Sequence, residues 1–479
     1  MLKLWQSTGL PASFLSRLHL LGDPDSAINS SFRLGLASQT AIGLAALSAT
    51  YFHFLRSGVD QTVSVDARHA VLDFHSEVFY TLEGKSPGPT WDSIAGLYKT
   101  KDDSYVRIHT NFPHHRQGIL SLLSLPNTPS LTRTDVESAL LGWNAEEFET
   151  AAAAGGMCAT ALRSIAQWDT HPQRQALSGV PPVQIIKIGD APKRTSGPFT
   201  RPLEGIRILD LSRVLAGPIA GRTLAAHGAD VLWLTSPHLP ALPTLDIDTS
   251  RLKRTAQLDL TSPAAREKLR ALASSADVFL QAYRPGGLAE KGFGATDLAA
   301  LRPGIVVANL TAWGWDGPWK DRRGFDSLVQ TATGFNAAEG EAYHRFHAEK
   351  DRPVAPRPLP MQALDHAAAY FLAFGVNAAL CKTVTEGGSY EVRVSLAAVG
   401  EWVKSLGRLE PEQAFGVGKA FPESPKDEEI VKLSSSWRNG GQEMTAVRHA
   451  PVLEHTPVLD TGRAPMGRLD VDEAEWSMY

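Results

Sequence analysis

Between residues 206 and 310, short apolar runs alternate with segments of helical spacing, and no other feature constrains this chain as much. Ile206-Arg207-Ile208-Leu209-Asp210-Leu211 reads as a buried strand, Gly217-Pro218 marks a turn, residues 219–227 are helical, and Asp230-Val231-Leu232-Trp233-Leu234 is a second strand. Strands follow at 256–260, 278–281 and 305–310, with a helix opened by Ser262 as N-cap and Pro263 as its first residue. Strands separated by crossover helices run parallel. The expected fold class is therefore α/β, a doubly wound and mostly parallel sheet whose ligand lies beyond the C-terminal ends of the strands.

The rest of the chain is organised around this run. Residues 38–55 form an Ala- and Leu-rich apolar helix, Gly58 ends it, and Thr62-Val63-Ser64-Val65 alternates. The same order recurs at 367–382, Gly387-Gly388 and Glu391-Val392-Arg393-Val394-Ser395-Leu396, which makes a partial internal repeat. Between the copies, a strand at 105–108 and amphipathic helices near 117–125, 134–142 and 146–154 predict a small α+β domain. The expected divisions are an N-terminal helical segment and partial repeat (1–70), the small α+β domain (71–188), a linker with three prolines (189–202), the α/β domain (203–400) and a C-terminal segment (401–479). Polar stretches such as Pro-Glu-Ser-Pro-Lys-Asp-Glu-Glu and Ser-Ser-Ser predict loose order before Met444.

Composition excludes several classes. A formal charge of −4 gives no general attraction for nucleic acid or anionic membranes, so any anion site must be local. No run of about 18 apolar residues is evident, so no membrane association is expected. The two cysteines, Cys158 and Cys381, lie in no ligand spacing, as suits a reducing compartment. The first residues, with Lys3 and Arg17 as the basic ones, make a poor leader, and Trp-Ser-Met-Tyr is no peroxisomal signal. Cytoplasm is the expected location, with mitochondria as the alternative.

The first βα turn, Ser212-Arg213-Val214-Leu215-Ala216-Gly217-Pro218 and then Gly221, is not GxGxxG, and no acid follows where a nicotinamide ribose would need one. Its small residues either let a cofactor approach the backbone or permit close helix packing. Asp365 precedes a long apolar helix and reads either as an N-cap or as a reactive carboxylate. His109, His114 and His115, with Arg116, form a histidine cluster without acidic or cysteine partners at ligand spacing. A turn or interface role is expected for it, and no metal.

Leu-Asp-Leu-Ser-Arg-Val-Leu-Ala-Gly-Pro, then Gly221-Arg222, Gly228-Ala229-Asp230-Val231, Lys253-Arg254-Thr255, Ala276-Asp277-Val278, Tyr283-Arg284-Pro285-Gly286, Gly317-Pro318, Gly324-Phe325-Asp326 and Ala363-Leu364-Asp365-His366, resembles in order the class III CoA-transferases, the carnitine dehydratase and bile-acid CoA-transferase (CaiB/BaiF-like) group. The resemblance covers about 170 residues. It implies a Rossmann-like CoA-binding domain and an acyl-CoA:carboxylate CoA-transferase acting through an aspartyl anhydride and an aspartyl-CoA thioester. Asp365 stands at the nucleophile's position, with the helix N-terminus expected to offer N–H groups to the oxyanion. Acyl-CoA and a carboxylic acid are the implied partners, CoA is a substrate, and no permanently bound cofactor is implied.

The resemblance places CoA contacts at Arg213, Ala216, Lys253, Arg254, Arg284 and Arg323, with Tyr283 stacking on adenine where the family commonly has Phe. His366 reads as a packing or surface residue, and Asp326 as structural. Departures from the family pattern are Gln281-Ala282 for Glu-Asn, Leu252 for a glycine, and Thr235 for an acid. The related racemases carry His where Phe325 stands, which favours transfer over α-methylacyl-CoA racemisation. A non-catalytic CoA-binding protein is the third reading, suggested by the order of the segments: residues 30–190 resemble the later part of the family plan yet come first. Leu36 aligns with Asp365, so the first copy holds no active site of its own. The small domain is expected to serve the second copy, within the chain or from a partner. Since class III enzymes are interlocked dimers, the resemblance implies a homodimer.

Overall fold

Strands without a polar face need cover on both sides, and the strands after residue 206 have it. The computed structural model describes residues 1–195, 197–348 and 353–477, so Ser196 of the linker and the last two residues lie outside the described residues. A seven-stranded sheet is built from β1 (Gln184–Gly189), β2 (Arg207–Leu211), β3 (Asp230–Thr235), β4 (Arg254–Gln257), β5 (Val278–Gln281), β6 (Val306–Thr311) and β7 (Ser389–Ser395). Its order is β4-β3-β2-β5-β6-β7-β1, parallel except for β1, which runs antiparallel along β7. The chain reverses its direction of winding between β2 and β5, which opens a crevice above their C-terminal ends. One boundary shifts from the sequence reading: residues 184–189 belong to the large sheet rather than the small domain.

The helices that matter for the site are α1 (Leu34–Ser57), α2 (Ala216–Ala226), α3 (Asp326–Ala332) and α4 (Ala363–Thr385). α4 is long and apolar enough to cross a bilayer by length and composition, which the sequence reading did not anticipate. Here it is a core helix, 89% buried over its apolar window and packed against β6, β7 and α1. Asn377 on α4 donates to the Ala45 carbonyl (3.1 Å) and to Ser48 Oγ (3.2 Å) of α1, fixing the register of two otherwise smooth helices.

The repeat is structural. Strand Leu18–Leu21, α1 and strand Val63–Asp66 form a parallel strand-helix-strand unit, as β6, α4 and β7 do. The two units also exchange their edges. β1, which follows the first unit in sequence, pairs antiparallel with β7 of the second, and Pro451–Leu453, which follows the second, pairs antiparallel with Val63–Asp66 of the first. The interlocking occurs within one chain.

The small domain is a three-stranded sheet (Gly96–Lys99, Tyr105–Ile108, Ala159–Ala161) covered by three helices (Pro113–Leu122, Arg133–Leu140, Ala145–Ala154), with a core of its own. The C-terminal segment corrects the expectation of loose order. Ser434–Asn439 and Gln442–Val447 form a hairpin turning at Gly440-Gly441, and Tyr80–Leu82 adds a third strand. Of the polar stretches read as loose, Ser434-Ser435-Ser436 lies in a partly solvated antiparallel ribbon, and residues 423–427 form bends and a turn that lead into the short helix Glu428–Lys432.

A buried charge network ties the halves together. Arg222 on α2, fully buried, pairs with Asp248, Asp73 (3.3 Å) and Ser76 Oγ (2.9 Å). Asp73 in turn accepts from Tyr370 Oη of α4 (2.8 Å) and from the Ala450 N–H (3.0 Å). Removing the guanidinium would take away the cation that two buried carboxylates share, leaving Asp73 with neutral donors alone and Asp248 with Arg251 and Ser76. Arg222→Met is expected to cost about 3–5 kcal/mol in urea-induced unfolding, and a loss below about 1 kcal/mol would mean that the network does not join the halves.

Candidate functional site

The turn after β2 begins with a pinned carboxylate. Asp210, on the strand, accepts from Ser212 Oγ and from Lys253 Nζ (2.8 Å), and Lys253 also donates to the Pro218 carbonyl (2.6 Å) and lies 4.4 Å from the Trp233 ring centre. A Cβ at Gly221 would stand 2.2 Å from Asp210 Oδ2, and one at Gly217 2.3 Å from Ser212 Cβ. These glycines therefore serve close packing of α2 on β2. Val214, in the same turn, has φ +72°, a strained conformation for a β-branched residue that this packing sustains.

Above the crevice lies a cleft of about 1150 Å³, partly open to solvent, lined by this turn, by Tyr283 and Arg284 after β5, by Arg323 to Phe325, by Asp365, and by Phe112, His114 and His115 of the small domain. A second cavity of about 1200 Å³ lies on the other side of Val214, Leu215, Phe325 and Asp365, which line both. About half of its remaining wall comes from the first half of the chain, including His75, Glu77, Trp91, Arg107 and His109, and the rest from segments such as 358–362. An apolar hollow of about 880 Å³, walled by leucines with His238 and Lys291 at its edge, continues from the cleft past Tyr283 and Leu239.

Asp365 sits in the first turn of α4, but it is not the cap. Asp326, at the start of α3, accepts from the Leu364 N–H (2.7 Å) and the Asp365 N–H (2.9 Å), and also from Gln330. The N–H groups expected to serve an oxyanion are thus taken. The N–H groups of Ala216 and Gly217, at the start of α2, line the cleft and have no hydrogen-bond partner among the described residues. The Asp365 carboxylate itself makes no hydrogen bond or ion pair among those residues and borders both cavities. Burial, with Asp326 and Glu77 nearby, raises its pKa well above the ordinary aspartate value. Burial also lifts Asp326, to about 6, against the hydrogen bonds it accepts. Asp326 is the better solvated by N–H donors of the pair, so Asp365 is the one that holds its proton more tightly.

His366 is buried and bonds Glu77 Oε2 (3.0 Å), as His75 bonds Glu77 Oε1 (3.2 Å). Burial would raise Glu77, but the two imidazoles hold it below the usual carboxylate range. His366 is thus a packing residue whose bond fixes the first half of the chain against α4.

The predicted CoA contacts divide. Arg213, Ala216, Tyr283, Arg284 and Arg323 converge on the cleft. Lys253 and Arg254 do not. Lys253 is spent on Asp210 inside the core, and Arg254, the first residue of β4, lies at the opposite end of the sheet, where it grips Asp230 (2.9 and 3.0 Å). Arg213 donates to the Pro240 carbonyl (2.6 Å) and lies over the Phe112 ring, and Arg323 donates to His114 (3.2 Å) and His115 (2.5 Å). Burial and these guanidinium groups push His115 down to about 3, so it is a neutral acceptor. Gln281, a departure from the family pattern, accepts from the Tyr283 N–H (2.7 Å) and so shapes that turn. Among the described residues no group of three or more His, Cys, Asp or Glu is placed to hold a metal. The sequence reading missed Arg107 and gave His109 only a turn or interface role; it stacks on Phe325 at 3.8 Å and lines the second cavity. The signal for Arg107 is a charged residue inside a strand otherwise buried by apolar neighbours.

Residues 203–410 match the family model described as CoA-transferase family III. A protein named "Probable fatty acyl-CoA transferase Rv3272" from Mycobacterium tuberculosis is 31% identical over 255 residues, 50% of this chain and 60% of that protein. "Acetyl-coenzyme A transferase nodX" of Hypoxylon pulicicidum is 27% identical over 425 residues, 77% of this chain and 69% of that protein, a span that extends beyond the matched domain. A crystal structure of the Mycobacterium tuberculosis protein Rv3272 is 32% identical, covering 43% of this chain and 59% of that one, with a TM-score of 0.36. The chain spans about 60% of the length of the first of these relatives. The likeness to CoA-transferase family III thus lies in residues 203–410, which hold Asp365 and most of the cleft above the sheet.

Proposed function

We propose that the protein moves CoA between an acyl-CoA and a carboxylic acid, with Asp365 as the nucleophile. The observation that carries this reading is an Asp365 carboxylate without a hydrogen-bond partner among the described residues, bordering two cavities, one basic and one walled in part by the first half of the chain. In this reading the adenine lies in the apolar hollow against Tyr283. The phosphates lie by Arg213, Arg284, Arg323 and the N-terminus of α2, and the thioester lies at Asp365 with its acyl group in the second cavity.

Asp365 attacks the thioester carbonyl and expels CoA as thiolate, forming a mixed anhydride. The thiolate then attacks the aspartyl carbonyl, the acid leaves, and aspartyl-CoA remains. An incoming carboxylate repeats the two steps in reverse. A carboxylate with a raised pKa is the stronger nucleophile once ionised. The small domain that walls the cleft comes from the same chain, so a homodimer is not needed to complete it.

His109 gives a second reading some support. It lines the cavity with Asp365, its Nδ1 has no partner among the described residues, and burial with Arg107 and His115 nearby lowers its pKa to about 3. A neutral imidazole as the base and the protonated Asp365 carboxyl as the acid make the kind of pair that epimerisation α to a thioester requires, one taking the α-proton and the other returning one.

The test is steady-state CoA transfer over a panel of acyl-CoAs and acids. Asp365→Ala is expected to lower kcat by at least about 10³-fold with CoA affinity unchanged, and Arg284→Ala to raise KM for the thioester about tenfold. Full transfer by Asp365→Ala would overturn the assignment. α-Deuterium exchange without transfer would favour the epimerase, and CoA binding with neither reaction the non-catalytic reading.

The raised pKa also has a consequence for stability. Because the folded state holds the Asp365 proton more tightly than the unfolded chain does, this contribution is full below the ordinary aspartate range and is lost as pH rises through the raised value. Asp365→Asn is therefore expected to melt above the native protein at about pH 8 and level with it at about pH 4. A lower melting temperature at the higher pH would mark Asp365 as a structural residue.

A further inference from the structure

We propose that the acid exchanged at Asp365 carries a second anionic group, and that Arg107 receives it; this rests on the transferase reading above. Arg107 lies on the strand Tyr105–Ile108, whose Val106 and Ile108 fill the small domain's core. Its own side chain lines the second cavity, the one that Asp365 borders. Arg107 is only 7% exposed, yet among the described residues no guanidinium nitrogen has a hydrogen-bond or ion-pair partner, and its Nε is buried and unsatisfied. Its side-chain neighbour in that wall is the Trp91 ring, 5.1 Å from the guanidinium carbon.

The other deeply buried arginines make the contrast. Arg222 is paired with Asp73 and Asp248, Arg251 with Asp248 and Arg163 with Glu149, while Arg56, which has no carboxylate partner among the described residues, donates to the Pro202 and Glu204 carbonyls. A buried guanidinium without a partner is costly, and such a group persists where a ligand supplies the missing charge. Burial lowers the Arg107 pKa to about 10, which leaves it charged at neutral pH. Asp326 is near enough to favour that charge, but its oxygens are occupied by Gln330, Leu364 and Asp365.

The missing partner is therefore an anion within the cavity. A planar guanidinium suits a carboxylate held by two parallel hydrogen bonds. One end of the acid must react at Asp365, so the group at Arg107 is a second one. Trp91, Leu359 and Met361 line the same cavity and offer apolar contact to the carbons joining the two ends.

The test compares kcat/KM for CoA transfer to straight-chain dicarboxylates of three to six carbons with that for monocarboxylates of the same lengths. The native protein is expected to favour the diacids by at least about 30-fold. Arg107→Met is expected to erase that preference by raising KM for diacids at least about tenfold more than for monoacids, and Arg107→Lys to restore part of it. Equal or better transfer to monoacids by the native protein overturns the inference and leaves the transferase reading intact, even if the Met variant does not fold. Equal losses on both series in a folded Arg107→Met protein also overturn it. No transfer to any acid from any thioester overturns both.

Discussion

The arrangement depends on one buried guanidinium. Arg222 sits at the meeting point of α2, the segment 73–76 from the first half of the chain, Asp248, and, through Asp73, α4 and the segment at Ala450. A buried charge satisfied from several directions fixes where those pieces stand, because moving any of them leaves a charge unpaired. The packing of α1 on α4 and the exchange of edge strands act in the same sense. Together they bring the small domain over the crevice of a sheet further along the chain, so one wall of the cleft, Phe112, His114 and His115, comes from the chain's own first half.

The electrostatics at Asp365 follow from that assembly. Asp326 caps α4 and takes the N–H groups that would otherwise solvate Asp365, while Glu77, delivered by the first half and held ionised by His75 and His366, adds a second negative charge. The Asp365 carboxylate is left without a hydrogen bond among the described residues and with a raised pKa. A group serving only stability would be expected to find partners. This one is held at a cost that the capped helix and the salt-bridged core offset.

The sequence made the sheet legible because its parallel strands are covered on both faces and so appear as unbroken apolar runs. The repeat was legible because its two long helices share Ala-rich composition and glycine stops. The ends of strands were harder. Lys253 and Arg254 stand at a strand end as Arg284 does, but Arg284 follows its strand while Lys253 precedes and Arg254 opens theirs, and only the C-terminal ends face the crevice. The C-terminal hairpin was hidden by its exposed polar face. Arg107 was beyond reach in role, since only the fold shows that its strand borders the cavity of Asp365.

The central claim is that Asp365 becomes covalently attached to CoA during turnover. The direct measurement is mass spectrometry of the protein quenched in acid during reaction with an acyl-CoA that it uses, followed by peptide mapping. The account predicts a CoA adduct on the peptide containing Asp365, lost when excess acid is added before the quench and absent in Asp365→Asn. Turnover without any adduct, or an adduct on another residue, would contradict it.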